Sequence, residues 1–406
     1  MASPRRSLPL RAAIHRALAL LPLLLLTRCA TTGSAASRTE PVVMPPEEVR
    51  ADLALLRMND EELFAAGSSA FAAGDPARAA ACFERLVTAF PQSSHRNRAR
   101  FNAGLARERM EEWDAARQHF SELANPLGTG DGLDAAFHQA EALYHLDRYP
   151  EAATLLGKIS ARTDLPAARR IEAQVQQGIC QVDAGDLDDG ERTLRSALVG
   201  AKDAADRGEP ADEYITAQAQ FFLGEIYRLH CEGVTFDPDG KADQLSQTLE
   251  YKAELLLSAQ GHYLRAIKIG NGYWATAAGE RIGNLYEVLH RQMIDSPTPK
   301  ELNGEEAEVY RQELRRRIKV LLTKAIGVYE TTVATAERIG TNGPFVDRAR
   351  ASLERMKQLL LAEADVPDEP PPPPPSSKPS SRRRSVARPT PTSANNSPRA
   401  SGDTGG

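Results

Sequence analysis

The sequence predicts an all-α fold of stacked antiparallel helical hairpins, and three observations carry that prediction. Between Leu63 and Pro91, small and large apolar residues recur at helical spacing on both sides of the turn Gly74-Asp75-Pro76. Small residues then return at Gly67, Gly104, Ala140, Gly178, Gly224 and Gly283, with the first three intervals close to one period and the last two longer. From about Asp365 the apolar period stops in a Pro, Ser and Arg rich run. A single hairpin cannot bury its own apolar face, so copies must stack. A chain of 406 residues with 41% hydrophobic content has the material for such a core.

In chain order, residues 1–28 read as an export signal. Arg5, Arg6, Arg11 and His15-Arg16 precede an apolar run from Ala17 to Leu26, which is too short to span a bilayer and suits a signal-peptide core. The segment carries five Arg and no acid, so its removal takes the formal charge from -5 to -10 and argues against a nucleic-acid partner. Leu26-Thr27-Arg28-Cys29 is similar to a bacterial lipobox, which implies lipidation of Cys29. Arg28 stands where a small residue is usual, and cleavage near Ser34-Ala35-Ala36 is the alternative. Either places the body outside the cytoplasm. Residues 29–56, with Pro41, Pro45 and Pro46, then read as a flexible tether.

The region 57–232 reads as a regular array. Its first copy, from Leu63 to Pro91, resembles a tetratricopeptide repeat (TPR), in which two short helices pack closely through small residues. Gly74 can take positive φ, Asp75 can cap the second helix, and Pro76 suits a first helical position. The second copy carries Gly104, Trp113, Ala116 and Phe120, and the third Ala140, Tyr149, Ala152 and Leu156. The fourth has Gly190 where alanine is usual, at a cost of about 1 kcal/mol in helix propensity, and is expected to be the softest.

Region 233–362 is expected to be irregular. QFFLGEIYRL begins a fifth pair, whose partner helix is delayed by an insertion from Gly233 to about Ser246. A sixth pair has an insertion around Pro297, Pro299 and Leu302, followed by a long helix from about Glu305 to Ile339 and a capping helix from Val346 to Leu361. Residues 363–406 are expected to form a disordered tail, and its Arg382–Arg384 run is a candidate contact for the cell wall or an acidic partner.

Catalytic chemistry is hard to find in this chain, and no catalytic residue, cofactor or metal is assigned. Gly128–Gly132 lacks the strand and the Lys-Ser/Thr of a phosphate loop, and Asp237–Asp243 lacks the first and last ligands of a calcium loop. His138, Glu141 and His145 share a helical face without a fourth ligand, so a polar solvent face is the simpler reading. Cys82, Cys180 and Cys231 have no metal spacing and read as buried thiols, with a Cys180–Cys231 disulfide left open.

The array does offer a groove lined by its first helices. Phe64, Phe101, Phe137 and Phe221 occupy equivalent positions, Val175 holds that place in the fourth copy, and Phe71 and Tyr144 lie about two turns further along. Together with Arg228, Glu141 and Glu225 these aromatics could bind a peptide; equally, they could only pack neighbouring repeats.

Residues 60–230 resemble bacterial envelope TPR proteins. The segment from His262 to Thr332, with Tyr273-Trp274, Arg281-Ile282-Gly283, Leu285-Tyr286, Pro297, Pro299, Tyr310 and Tyr329, resembles the TPR lipoproteins of the myxobacterial adventurous gliding-motility (Glt-type) machinery. That resemblance implies a non-enzymatic periplasmic scaffold, anchored to the outer membrane, whose partners are other proteins of an envelope complex. An assembly factor for outer-membrane proteins or secretins, and a peptidoglycan-associated regulator, are the alternative roles.

Overall fold

The computed structural model describes residues 54–124, 130–237 and 241–364. The export segment 1–28, Cys29, the tether up to residue 53, Gly128 and Thr129, Pro238–Gly240 and the tail from 365 lie outside the described residues, as do the expectations attached to them. Six helix pairs follow one another: α1 (Asp60–Ala72) with α2 (Pro76–Ala89), α3 (Arg96–Arg109) with α4 (Trp113–Leu123), and α5 (Asp131–His145) with α6 (Tyr149–Ser160). Then come α7 (Ala167–Asp183) with α8 (Leu187–Asp206), α9 (Glu213–Gly233) with α10 (Ala242–Ile269), and α11 (Gly272–Ile294) with α12 (Gly304–Ile339). A last helix, α13 (Pro344–Ala364), packs on α11 and α12. No strand occurs among the described residues, and none of their helices is long and apolar enough to cross a membrane.

Local chemistry sets the first pair. Asn59 and Glu62 form a reciprocal capping box, each side chain accepting the other's backbone N–H at 2.9 Å. The turn follows the expected design: Gly74 has φ 81°, the Asp75 carboxylate accepts from Arg78 N at 3.0 Å, and Pro76 opens α2. The same left-handed residue recurs seven positions after each small residue, as Glu111, Asp147 and Gly185. In the last two pairs that position is Cys231 and His290, and both remain helical. Without a residue turning at that point the helix runs on, which is why α9 and α11 are longer than α1.

A second constant spans the pairs. Added Cβ atoms on Gly67, Gly104 and Gly178 would lie 2.7, 2.5 and 2.7 Å from Phe83, Phe120 and Leu194, each 16 residues later. The same contact joins Gly224 to Tyr263 and Gly283 to Tyr329 at 2.5 Å, now across 39 and 46 residues. The extra residues therefore lengthen both arms of the hairpin toward its turn and leave the packing register intact. This corrects the expected insertion from Gly233 to about Ser246, since α10 already begins at Ala242.

The fourth pair is tight at its glycines. An added Cβ on Gly190 would lie 2.7 Å from Val182 Cγ2 and 3.2 Å from Gly178 O, so Gly190 allows α7 and α8 to approach where alanine would collide. Cys82, Cys180 and Cys231 are buried free thiols, and no Cys180–Cys231 disulfide forms.

Candidate partner-docking face

Three residues before each small residue lies the position expected to line the groove, and its surroundings change along the array. Phe64, Phe101 and Phe137 are half-buried there, on α1, α3 and α5. Each ring meets a basic or imidazole group from the next first helix. Phe64 stacks on His95, with centroids 4.7 Å apart, and has Arg98 5.1 Å above its centroid. Phe101 meets His138 edge to face at 5.4 Å, and Arg169 lies 4.3 Å over Phe137. These rings pack neighbouring repeats on one side while leaving apolar surface beside a guanidinium or an imidazole.

Further along, the same position closes. Val175, Phe221 and Glu280 are buried. Phe221 is 0% exposed, enclosed by Phe222, Tyr263, Trp274 and Phe345, so its ring belongs to the core and offers a partner nothing. Tyr144 is also buried, and its hydroxyl donates to Asp183 Oδ2 at 2.6 Å. Phe71 is half-buried beneath Arg109, whose guanidinium lies 3.5 Å from the ring centroid and donates to the Phe71 carbonyl at 2.9 Å. The expected stripe is thus divided: Phe64, Phe71, Phe101 and Phe137 keep exposed surface, whereas Tyr144 and Phe221 do not.

Arg228 is the other departure. Its guanidinium pairs with Glu225 at 3.0 Å and with Glu232 at 2.5 Å, so it is committed within the fold. Glu225 also accepts from Arg281 Nε at 2.9 Å and from the Tyr263 hydroxyl. Arg281 reaches Glu280 at 3.2 Å, and Arg348 of α13 approaches Glu280 at 3.6 Å. Burial would raise the Glu225 carboxyl, but Arg281 and Arg228 outweigh it and hold it at about 2. Glu280 goes the other way, raised because desolvation exceeds the pull of its arginines. This chain of buried charge ties α9, α10, α11 and α13 together.

Trp274, Arg281, Gly283 and Tyr329, singled out in the sequence, fall in that same region. Trp274 and Tyr329 are buried, Arg281 is in the ion network, and Gly283 receives the Tyr329 ring. They build the last two pairs.

Sequence reasoning did not find His95, Arg98 and Arg169, which sit about two turns before the next small residue and contact the previous aromatic. The signal was available as a cation or imidazole recurring against each half-open ring. The His138, Glu141 and His145 trio is also rearranged: His145 turns away to stack on Trp113 at 3.8 Å, while Glu108 of α3 takes its place beside His138.

Residues 63–93 match the tetratricopeptide repeat family. Among solved structures, the chain is similar to the apo form of RapI, with 9% identity, 76% of this chain and 99% of that chain covered, and a TM-score of 0.40. A tetratricopeptide repeat protein from Parabacteroides merdae gives 12%, 74%, 98% and 0.35, and a TPR repeats protein from Bacteroides fragilis 12%, 75%, 99% and 0.28. No curated protein matches the sequence. With the hairpins above, the matched repeat establishes the fold as an all-α tetratricopeptide-repeat solenoid whose fifth and sixth pairs carry extended arms.

Proposed function

We propose that this chain is a non-catalytic scaffold of the bacterial envelope, exported to the periplasm and tied to the outer membrane through Cys29, where it docks other proteins of a gliding-motility type complex. The observation that carries the docking role is the repeated half-open ring. Phe64, Phe101 and Phe137 present apolar surface from equivalent positions on three successive first helices, each next to a cation or an imidazole. Apolar anchors beside charged groups are the composition that binds a peptide or a helix face of mixed apolar and acidic character. The export-like N-terminus and the resemblance of residues 262–332 to motility lipoproteins support the location and the complex.

Crosslinking in intact cells, followed by purification, compares the wild type with Phe101→Ala/Phe137→Ala. Loss of particular partners from a variant that keeps its helical circular dichroism supports docking at these rings. Retention of every partner by that folded variant refutes it. Stoichiometric copurification with envelope components fits a scaffold, whereas transient capture of client termini would assign the assembly-factor role. Binding of purified sacculi by the tail would favour the peptidoglycan regulator. Lipid labelling of Cys29→Ser against wild type tests the anchor, and equal labelling removes it.

A further inference from the structure

We propose that Glu108, His138 and Glu141 form a zinc site that staples the second repeat to the third. Glu108 lies in the last turn of α3, and His138 and Glu141 are three residues apart on one face of α5. His138 Nδ1 is 3.1 Å from Glu108 Oε1 and 3.8 Å from Glu141 Oε2, and one ligand atom from each residue lies within 4.8 Å of the others. Zinc bonds of 2.0–2.2 Å at tetrahedral angles place neighbouring ligand atoms about 3.4 Å apart. The two distances at the imidazole bracket that value, so an ion enters with small side-chain rotations.

The imidazole is held for the purpose. Its ring stacks on Phe120, with centroids 5.0 Å apart and planes 19° off parallel, and meets Phe101 edge to face. Packing on two sides fixes the direction of Nδ1 before any ion arrives, which lowers the ordering cost of binding. Side-chain exposures of 14%, 30% and 19% for Glu108, His138 and Glu141 leave the cluster sheltered but open on one side, where water can complete the coordination.

Charge favours a divalent ion. Two carboxylates converge on one imidazole, so the three groups carry -1 with the ring protonated and -2 with it neutral. A zinc ion answers that charge, because it bonds Nδ1 and both carboxylates at once and supplies two positive charges. One nitrogen and two oxygen donors suit zinc among common divalent ions, whereas calcium takes 6–8 oxygens.

The test titrates the tag-free full chain with zinc by calorimetry and with cobalt(II) by visible absorption. Expected are one site per chain, four-coordinate cobalt bands, and at least about a tenfold loss of affinity in Glu108→Gln and in Glu141→Gln, given that even outer partners of metal ligands cost 10–100-fold. His145→Ala, which leaves the three donors in place, should bind as the wild type does. The conservative Gln variants decide the matter if His138→Ala fails to fold. No saturable binding with metal in large excess overturns the proposal, as does an affinity unmoved by Glu108→Gln. Equal losses in His138→Ala and His145→Ala would mark adventitious surface binding and overturn it as well.

Discussion

Tyr329 rests against Gly283 as Phe83 rests against Gly67, although 46 residues separate the first two and 16 the second. A Cβ on Gly283 would stand 2.5 Å from Tyr329 Cε1, inside any tolerable contact. Gly283→Ala should therefore destabilise by about 1–3 kcal/mol through overpacking, more than the ~1 kcal/mol gained in helix propensity. Urea denaturation checks it through a lower midpoint at unchanged slope. Gly67→Ala should behave alike, and Gly67→Ala/Phe83→Leu should recover part of the loss, since the third repeat carries Ala140 and Leu156 at those positions.

The buried ions joining the last pairs should be costly to break and inexpensive to replace. Arg281→Met leaves Glu225 short of a partner in the core and should cost about 3–5 kcal/mol, whereas exchanging both members for apolar residues should cost much less. The pH sign follows from Glu225, whose carboxyl is held at about 2, below its ordinary value of 4.5. Its contribution is full above pH 4.5 and is lost as pH falls toward 2. Acid unfolding followed by circular dichroism should show this loss in the wild type and not in Glu225→Gln.

Asp183 has the opposite sign. Burial raises its carboxyl to about 6, against the hydrogen bond from Tyr144 and with repulsion from Glu225 in support. The folded state then binds the proton more tightly than the unfolded chain, so this group's contribution falls as pH rises from about 4 to about 6. Asp183→Asn keeps an acceptor for Tyr144 and removes that slope. Relative to wild type it should be more stable at pH 7 than at pH 4 by on the order of 1–2 kcal/mol, measured by denaturation at both values.

Lys252 is only 1% exposed, and its ammonium donates to the carbonyls of Cys231 and Val234 at 2.5 and 2.6 Å, closing the C-terminal end of α9. Lys252→Met keeps the packing volume but strands one buried acceptor, Cys231 O, and one part-buried acceptor, Val234 O. The loss should be about 2–4 kcal/mol, with early exchange of amides in the last turn of α9 by hydrogen exchange. Burial lowers the pKa of the amine, so wild-type stability should also rise as pH increases toward 10.5, and Lys252→Met should lack that rise.

Much of the array was legible because its signals are local. Gly74, Asp75 and Pro76 dictate a turn through φ, a carboxylate cap and a missing N–H, and the helix bounds of the long α12 follow from the Asn303 capping box and Gly340. The candidate docking face was less legible. Phe101 and Phe221 stand at the same register, yet the first meets His138 and keeps an open side while the second is enclosed by Trp274 and Phe345. Trp274 and Phe345 lie more than 50 residues beyond Phe221, and helical periodicity carries no information at that range.

By itself, then, the chain's order of small, large and turn residues determined the hairpins, because each is a matter of one residue's backbone freedom or of a partner on the adjoining helix. Only the tertiary structure decided which rings stay open, why Tyr144 and Arg228 are spent inside the fold, and that Glu108 rather than His145 joins His138. Exposure and charge pairing depend on which helix is stacked next and at what height. That is set by the packing of a small residue against a large one in each pair, including the two whose arms are longest.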